Sequence, residues 1–533
     1  MNELNAALVR QPALPRFMCH LYQRLQQQRL NLVTGAGISI NAGVPNWYGL
    51  LERLAAHSAT LAGDFRAHRT AGLTPEYLGQ IIYNRHRNSG DEDLSASGEA
   101  TVNHDWAKSI HEAIYKDVAP KITDLLDSHP YLSQLKDLVR KVPFVVNFNF
   151  DDILAQSVGF KSQLDKSTRS YSVEWRPALL DRPNHTTIYH VNGLLPQASL
   201  KKRSPTLIFT EDSFADAIAR APGVSAEYIF MRFVQNTMLI IGHSLADASL
   251  KNYLRLNRDK SPANHHYMIH WLHDEDALNG EQRSDIFNAN LDLYNVFTLF
   301  LTSAEMREFF SLLNLEPREF GDKLDEMGED RCSCRHYYIV GPVAAGKSSL
   351  LEHLRCFETY EEWTQPPPSE MYRSFKQLSQ EESEKVDSFI YGELKEKNRR
   401  MHAAGVGFHF MDRGPLDLYA FSENESENKG KTAAMKRIIT RHRPLQNGGI
   451  IFLQAKAETL VERNYTRGRS PEQAGSKDYF EAQIAALKDI YEPSFVYNTE
   501  GQTPGQIAKK VVRRVLLKGY EPIDLTEVMD IYA

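Results

Sequence analysis

The chain is poor in cysteine and contains no long apolar run. Only four of its 533 residues are cysteines, and they form neither a disulfide framework nor the paired CxxC arms of a zinc site. No segment approaches the ~18 consecutive apolar residues that cross a bilayer, and the first residues, MNELNAALVRQPALPRF, contain no apolar stretch typical of a signal peptide. We therefore expect a cytoplasmic protein that holds no zinc and contacts no membrane.

An excess of charge is also lacking. The 62 Lys and Arg residues and 68 Asp and Glu residues leave a formal net charge of −6. Proteins that bind nucleic acid through bulk positive charge are strongly basic, so a nucleic-acid partner is not expected. The 42% hydrophobic and 24% charged residues are typical of a soluble globular protein and exclude disorder of the whole chain.

Short apolar runs alternate with longer amphipathic stretches along the chain. This alternation is typical of α/β folds, in which parallel strands are covered by helices. The length predicts more than one core. The runs predicted as strands are 30–33, 144–148, 187–191, 238–241, 337–340, 406–411 and 449–453.

Two polar stretches interrupt this pattern. Residues 87–104 contain little apolar surface and are predicted to form a surface loop within the first domain. Residues 315–336 are charged and directly precede a new strand. We therefore predict a first domain at 1–315, a linker at 316–335 and a second domain at 336–533.

The first predicted strand ends in a glycine-rich segment, LVTGAGISINAGVPNWYGL. Glycines after a strand let backbone N–H groups approach a pyrophosphate, and the following helix N-terminus adds positive potential. Glycine turns after strands are nevertheless common in α/β proteins. The longer string is more specific than its GxG core.

Three further segments follow in order, VVNFNFDD at 145–152, TED at 210–212 and IIGHSLAD at 240–247. With the glycine segment they resemble the motifs of the sirtuins over about residues 30–260. The resemblance implies a Rossmann-type parallel sheet that binds NAD. It places Asn149 beside the nicotinamide ribose, and Gly242 and Ser244 against a ribose. The full set of implied NAD-site residues is Gly35, Ala36, Gly37, Ser39, Asn149, Asp151, Gly242, Ser244 and Asp247.

Structural roles remain open for several of these residues. Asn149 also suits the N-cap of a helix beginning at Asp151, and Ser244 and Asp247 suit an N-cap and a first-turn acid. We expect His243 to pack rather than to react.

One motif departs from the sirtuin pattern. In the family a strand ends in His-Gly and the His is the base, whereas this chain has Asn192-Gly193. His190 points to the same strand face, roughly 7 Å from Asn192. It is a candidate to take a proton directly or through water. The alternative is a hydrogen-bonded core histidine.

The segment from Gly193 to Ile241 contains no cysteine, so the zinc ribbon of protein deacetylases is missing. The chain thus resembles the zinc-free bacterial branch, in which water replaces the acyl-lysine and the nicotinamide–ribose bond is cleaved. Because nicotinamide leaves as a neutral group, orientation and stabilisation of the oxocarbenium-like centre matter more than a strong base.

A second nucleotide motif follows the strand at 337–340. The sequence GPVAAGKSS fits G-x-x-x-x-G-K-[ST], in which backbone amides cradle phosphates, the Lys neutralises them and the Ser ligates Mg²⁺. We therefore predict an ATP and Mg²⁺ site. Its residues are Gly341, Gly346, Lys347, Ser348 and Ser349.

Three segments resemble the P-loop deoxynucleoside kinases. They are FETYEEW at 357–363, MDR at 411–413 and RNYTRGRSPE at 463–472. The resemblance implies that Glu358 accepts the 5′-hydroxyl proton and that Asp412 lies near Mg²⁺. The cations implied to contact phosphate or hydroxyl groups are Arg413, Arg463, Arg467 and Arg469.

The resemblance to these kinases is incomplete. Thr359 replaces the usual Pro, and residues 389–394 contain no base-reading Gln. Glu358 also suits an ordinary exposed acid, and the arginines suit a solvated helix face.

Together the resemblances imply an NAD⁺ hydrolase of bacterial antiphage defence, which forms nicotinamide and ADP-ribose and is gated by its kinase-like domain. Since unrestrained NAD⁺ loss would kill the cell, a nucleotide, nucleoside or phage-derived trigger must bind the active state more tightly. The resemblance also implies a homo-oligomer. The alternatives are a deoxynucleoside or nucleotide kinase with an NAD-sensing domain, and an ADP-ribosyltransferase.

Overall fold

A computed structural model describes most of the chain. The described residues are 2–56, 59–88, 96–160, 169–175, 182–204, 206–219, 224–245, 247–274, 277–328, 332–373, 378–422, 424–467 and 475–533. They form two compact units. The first unit comprises Met1–Gln11, Arg24–Lys260 and His265–Leu315, and the second unit comprises Pro12–Gln23, Ser261–Asn264 and Glu316–Ala533.

Each unit contains one parallel sheet. The strands of the first unit are β1 (Leu30–Thr34), β2 (Phe144–Asn147), β3 (Ser170–Glu174), β4 (His185–His190), β5 (Thr237–Ile241), β6 (His266–Trp271) and β7 (Val296–Leu301). Those of the second unit are β8 (Cys334–Val340), β9 (Glu358–Tyr360), β10 (Gly407–Asp412), β11 (Gly449–Gln454) and β12 (Phe495–Asn498). The spatial orders are β3-β4-β2-β1-β5-β6-β7 and β12-β11-β8-β10-β9. The predicted α/β class with two parallel sheets is confirmed.

Helices connect the strands in both units. The α-helices of the first unit are Asn5–Arg10, Gly37–Ile40, Trp47–Ala55, Ala59–Thr70, Pro75–Asn88, Ala96–Tyr115, Ile122–Ser128, Pro130–Val139, Ile153–Gly159, Glu211–Ala219, Val224–Gln235, Ala248–Lys260, Gly280–Tyr294 and Ser303–Leu313. Those of the second unit are Pro317–Met327, Lys347–His353, Gln380–His402, Glu425–Ile438, Ala457–Thr466, Lys477–Tyr491, Pro504–Leu517 and Leu525–Ile531, and Leu14–Gln26 begins in it. No helix in the described ranges combines the length and apolar character needed to span a bilayer.

Each of the seven predicted runs overlaps a strand, and the sheet centres are buried. Five strands have no predicted counterpart, namely β3, β6, β7, β9 and β12. Strands β3 and β9 are short and partly exposed edge strands and therefore lack an apolar run. Strand β7 is entirely buried and reads VFTLFL, so it contains an apolar run that the prediction omits.

The predicted loop at 87–104 is wrong at both of its ends, and residues 89–95 lie outside the described part of the chain. Arg87 and Asn88 are the last residues of the helix Pro75–Asn88. Residues from Ala96 onward belong to the helix Ala96–Tyr115. Trp106, Ile110 and Ile114 recur at intervals of four and are all buried, so the last turns of the helix are anchored by an apolar face. The polar turns before them continue the same helix.

The predicted linker at 316–335 contains the helix Pro317–Met327. Proline at its first position suits a helix start. Phe320 is buried and stacks on Tyr22 with ring centroids 3.8 Å apart. The charge of this segment therefore marks the solvated face of an amphipathic helix within the second unit.

The segment Pro12–Gln23 belongs to the core of the second unit. Gln23 donates to the Phe408 carbonyl at 3.0 Å and accepts from the Phe408 N–H at 3.1 Å. A glutamine side chain thus pairs with β10 as a neighbouring strand would. His20 lies 2.9 Å from the Cys356 carbonyl oxygen, which fixes the same segment at a second point.

Candidate functional site

The first unit has its topological switch point at β1. This strand pairs in parallel with β2 on one side and β5 on the other, so the loops that follow these strands diverge at the carboxyl edge of the sheet. Open α/β sheets bind ligands at such a crevice. The edge collects the loops after β1, β2, β4 and β5, which contain the residues predicted to bind NAD.

The two glycine turns at this edge pack directly on each other. The Gly35 N–H donates to Ile241 O at 3.0 Å, and the Gly37 N–H donates to Gly242 O at 2.8 Å. A Cβ on Gly37 would lie 2.7 Å from the Gly242 Cα, and Gly242 has φ +66°. The amides expected to hold a pyrophosphate are thus engaged within the protein, and the following helix, Gly37–Ile40, is a single turn. Close packing of the two turns requires these glycines.

Replacing Gly37 by alanine is expected to lower the free energy of unfolding by about 1–3 kcal/mol, because the added Cβ meets backbone rather than a movable side chain. Gly63 provides a matched control, since it lies in the helix Ala59–Thr70 with nothing within 4 Å of an added Cβ. Gly63→Ala should be stabilising by about 0.5–1 kcal/mol. Denaturant unfolding of both variants checks this; equal effects would contradict the packing argument.

Asn149 reaches from the loop after β2 to the loop after β1. Its Nδ2 lies 3.1 Å from Gly35 O and 3.4 Å from Ser39 Oγ. Ser39 Oγ donates to Asp151 Oδ1 at 3.0 Å, and the same oxygen accepts from the Ile153 N–H at 3.1 Å. Asn149, Ser39 and Asp151 are all buried. Asn149 therefore joins the two loops, and Asp151 rather than Asn149 binds the amino end of the next helix.

Burial raises the pKa of Asp151 to about 6. A carboxyl group whose pKa is higher in the folded state stabilises the fold at low pH, and this contribution disappears as the pH rises through about 6. Asp151→Asn does not titrate. We expect the stability of this variant relative to the parent to improve by about 1.4 kcal/mol between pH 5 and pH 8. Thermal unfolding at both pH values measures it; a pH-independent difference would contradict it.

The side chains of β4 and its following turn approach Asn149 from the other side. His190 Nδ1 lies 2.9 Å from Asn149 O, and Asn192 Nδ2 donates to Phe148 O at 3.1 Å. His190 has no exposed surface, and burial lowers its pKa to about 4. His190 is a buried, hydrogen-bonded histidine, as the structural alternative predicts, and Asn192 contacts backbone.

The loop after β5 combines exposed and structural residues. Ser244 is exposed. Asp247 Oδ1 accepts from the Leu250 N–H at 2.8 Å and caps the helix Ala248–Lys260, while burial raises its pKa. His243 packs edge-on against Phe148 with ring centroids 5.0 Å apart. Asp247 thus takes the capping role that was considered for Ser244, and His243 packs against an aromatic ring as expected.

An aromatic cluster lies beside these loops and was not predicted. Trp47 contacts Phe150 and Phe209, with ring centroids 5.8 and 5.1 Å apart. Phe209 directly precedes the TED turn that resembles the bacterial sirtuins. The signal in the sequence is that each aromatic residue stands next to a site motif.

The second unit places its P-loop between β8 and the helix Lys347–His353. Gly341 and Gly346 have φ +152° and +97°, and a Cβ on Gly341 would lie 2.3 Å from Leu453 O. The Lys347 Nζ donates to the Gly341 and Pro342 carbonyls, both at 2.8 Å. Burial and then Arg413 lower the pKa of Lys347 to about 8. The lysine side chain therefore folds over its own loop.

Ser348 and Asp412 meet beside this loop. Ser348 Oγ donates to Asp412 Oδ2 at 2.7 Å. Asp412 is buried, and its Oδ1 has no hydrogen-bond partner among the described residues. A hydroxyl and a carboxylate with an unused oxygen are hard ligands that suit Mg²⁺. The residues predicted as Mg²⁺ ligands therefore fit the ion.

Glu362, rather than Glu358, lies at this edge. Arg413 Nε forms an ion pair with Glu362 Oε1 at 2.5 Å. Glu358 is the first residue of β9 and pairs in register with His409, three residues or ~10 Å before Asp412 along the strand direction. The structure therefore does not bring Glu358 to Asp412 and Arg413. The sequence FETYEEW does not reveal where β9 ends, so it does not show which of its acidic residues lies beside Asp412.

Lys397 is a further residue near this edge that the sequence did not single out. It is buried, and its Nζ lies 5.6 Å from the centroid of the Trp363 ring. Burial lowers its pKa to about 8. Glu393, one turn earlier on the same helix, accepts from Thr364 N and Oγ1, both at 2.7 Å. Two charged residues thus lie on the helix Gln380–His402, which also contains the segment 389–394 without a Gln.

The segment RNYTRGRSPE, whose arginines are predicted to contact phosphate groups, lies only partly within the described residues. Arg463 donates to Thr499 Oγ1 at 2.8 Å and to Thr499 O at 3.0 Å, so its guanidinium ties the helix Ala457–Thr466 to the end of β12. Arg467 is exposed just after that helix. Ser349 lies in the first turn after the P-loop. Arg469 lies outside the described residues.

Comparison with known proteins finds one matching family model and several similar solved structures. A family model described as "SIR2-like domain" matches residues 143–293. The structure of deoxyadenosine kinase from M. mycoides with bound dATP is 17% identical and covers 33% of this chain and 98% of that chain, with a TM-score of 0.26. The same kinase with products dCMP and dCDP is 15% identical, covers 33% and 96%, and has a TM-score of 0.27. No curated protein matches significantly. Residues 143–293 are thus similar to the SIR2-like domain family.

Proposed function

We propose that the first unit hydrolyses NAD⁺ to nicotinamide and ADP-ribose, and that a nucleotide or nucleoside bound by the second unit controls this activity. The observation that carries the proposal is Asn149, which lies within the SIR2-like match and is fixed between Gly35 and Ser39 at the switch-point edge. Defence against phage through NAD⁺ depletion is the biological role that we propose for it.

The chemistry asks for orientation more than for acid–base groups. Nicotinamide leaves as a neutral molecule from a cationic ring, so the site must hold the ribose and stabilise the developing oxocarbenium centre. Asn149 supplies an amide dipole for the ribose. Asp151, held through Ser39, supplies negative potential near it when ionised.

Control by the second unit rests on differential affinity. A ligand shifts an equilibrium only by binding one state more tightly than the other. Lys347 and the Ser348–Asp412 pair suit a nucleoside triphosphate with Mg²⁺. ATP or a deoxynucleoside triphosphate is therefore the ligand class proposed for the switch.

The test is NAD⁺ consumption by the purified full-length chain, measured by chromatography with Mg²⁺ and each nucleoside or nucleoside triphosphate in turn. We expect free nicotinamide and ADP-ribose in equal amounts, at a rate that at least one nucleotide changes tenfold or more. ADP-ribose attached to protein or nucleic acid, instead of free ADP-ribose, would indicate ADP-ribosyl transfer. No NAD⁺ loss under any condition would overturn the proposal.

A second activity, phosphoryl transfer from ATP to a nucleoside, is favoured by the Glu362–Arg413 ion pair beside Asp412. Glu362 would accept the proton of the acceptor hydroxyl, and its ion pair with Arg413 would hold the carboxylate in position. Mg²⁺ held by Ser348 and Asp412 would neutralise phosphate charge. Glu362→Gln should then lower transfer of labelled phosphate about 10²- to 10⁴-fold.

Glu358→Gln is the matched control for this prediction. It makes the same substitution four residues earlier, at the opposite end of β9, and should leave the transfer rate within about twofold. A larger loss in Glu358→Gln than in Glu362→Gln would restore the assignment made from the sequence. Absence of transfer in the parent would leave the second unit a binding domain only.

A further inference from the structure

The peptide that carries Asn149 is held at every backbone polar group. The Phe148 N–H donates to Thr34 O at 2.9 Å, and Phe148 O accepts from Asn192 Nδ2 at 3.1 Å. The Asn149 N–H donates to Asn147 Oδ1 at 3.0 Å, and Asn149 O lies 2.9 Å from His190 Nδ1. Two of these four partners come from the β4 segment in which the sirtuin base is missing.

The contact of His190 fixes its tautomer. A carbonyl oxygen only accepts hydrogen bonds, so Nδ1 carries the proton and donates to Asn149 O. His190 has no exposed surface, and its Nε2 has no hydrogen-bond partner within the described part of the chain. Burial keeps the pKa of this imidazole low, so the ring is neutral at physiological pH. The nitrogen that contacts the site is a donor and cannot take a proton.

Asn192 has an equivalent contact. Its amide N–H reaches Phe148 O, one peptide unit before the carbonyl that His190 holds. An amide side chain does not titrate in this pH range. Position 192 therefore provides a hydrogen bond that is independent of pH, directed at the backbone from which the Asn149 side chain projects.

We propose that His190 and Asn192 are positioning residues that clamp the Phe148–Asn149 peptide, and that neither accepts a proton during NAD⁺ cleavage. The inference rests on the proposed hydrolase function. In this scheme the bond between the ribose C1′ and the nicotinamide nitrogen breaks, and its electron pair stays on nicotinamide. A water oxygen bonds to C1′ and releases its proton to solvent.

Two substitutions at His190 separate the clamp from a base. The amide nitrogen of asparagine takes the position of Nδ1, whereas the amide of glutamine reaches the position of Nε2. His190→Asn should keep kcat within about threefold of the parent, and His190→Gln should lower it about tenfold or more. His190→Asn should also leave the shape of the pH–rate profile unchanged, including the contribution of the neighbouring Asp151. The reverse ranking, or a titration lost in His190→Asn, would overturn the proposal.

Hydrogen exchange tests the clamp without requiring NAD⁺ turnover. In the full chain, the amides of Phe148 and Asn149 should exchange about tenfold faster in His190→Gln and in Asn192→Asp, which loses the donor to Phe148 O, but not in His190→Asn. Unchanged exchange in both would overturn the clamp. If exchange changes in the variants as expected but the parent does not cleave NAD⁺, the clamp is retained and the hydrolase function is rejected. If the variants do not fold, the test is made on the parent alone. The amides of Phe148 and Asn149 should then exchange as slowly as the most protected strand amides, and faster exchange would reject the clamp.

Discussion

Asn149→Ala is expected to lower the rate of NAD⁺ cleavage by at least about a hundredfold while leaving the fold intact. The substitution removes the amide that links the loops after β1 and β2 and that would orient the ribose. Removal of one preorganised polar group at a reacting centre typically lowers the rate by about this factor. Nicotinamide release by the full-length chain at saturating NAD⁺ measures it.

Asn236 is a matched control for Asn149. It is equally buried and also donates to a backbone carbonyl, that of Arg232 at 3.2 Å, but it directly precedes β5 and so lies at the amino edge of the same sheet. Asn236→Ala should therefore cost stability without changing kcat more than about twofold. Equal rates of NAD⁺ cleavage in Asn149→Ala and the parent would show that the active site does not lie at the switch-point edge.

Lys347→Met is expected to abolish nucleotide binding by the second unit and, with it, the effect of nucleotides on NAD⁺ cleavage. It replaces the one cation that the P-loop places over its own carbonyls with an uncharged chain of similar length. Affinity for ATP should fall about 10²-fold or more, and labelled phosphate transfer about 10³-fold, since phosphate charge is then no longer neutralised. NAD⁺ cleavage should become insensitive to added nucleotide. Calorimetry and the two activity assays measure the three effects.

Lys395→Met is the control for this substitution, because Lys395 is an exposed residue of the helix Gln380–His402. It should alter none of the three quantities appreciably. Nucleotide control that survives in Lys347→Met would show that the trigger binds elsewhere, and the gating role of the P-loop would be rejected while the hydrolase assignment stands.

The sheets could be predicted because their central strands are buried on both faces and therefore read as apolar runs. Edge strands such as β9, with the sequence ETY, carry no such signal. The helix Ala96–Tyr115 shows the opposite difficulty. Its first turns are polar, and only the buried Trp106, Ile110 and Ile114 further along reveal that the segment is helical.

The convergence of Asn149 and Gly242 at one edge could be predicted, since parallel strands end on the same side of a sheet. The assignment of Glu358 could not be corrected from sequence, because the choice between Glu358 and Glu362 depends on the residue at which β9 ends. Alternation along β4 predicts that His190 and Asn192 share a face. It does not reveal that both side chains bond to the backbone beside Asn149.

The pairing of Gln23 with Phe408 has a consequence for biosynthesis. The two residues are separated by 385 positions, so at 5–20 residues per second the partner of Gln23 is translated about 20–80 s later. The second unit cannot complete its β10 pairing until then. A fragment expressed from residue 336 onward would lack Gln23 and His20 altogether, and supplying the N-terminal peptide in trans is expected to improve its yield of soluble protein.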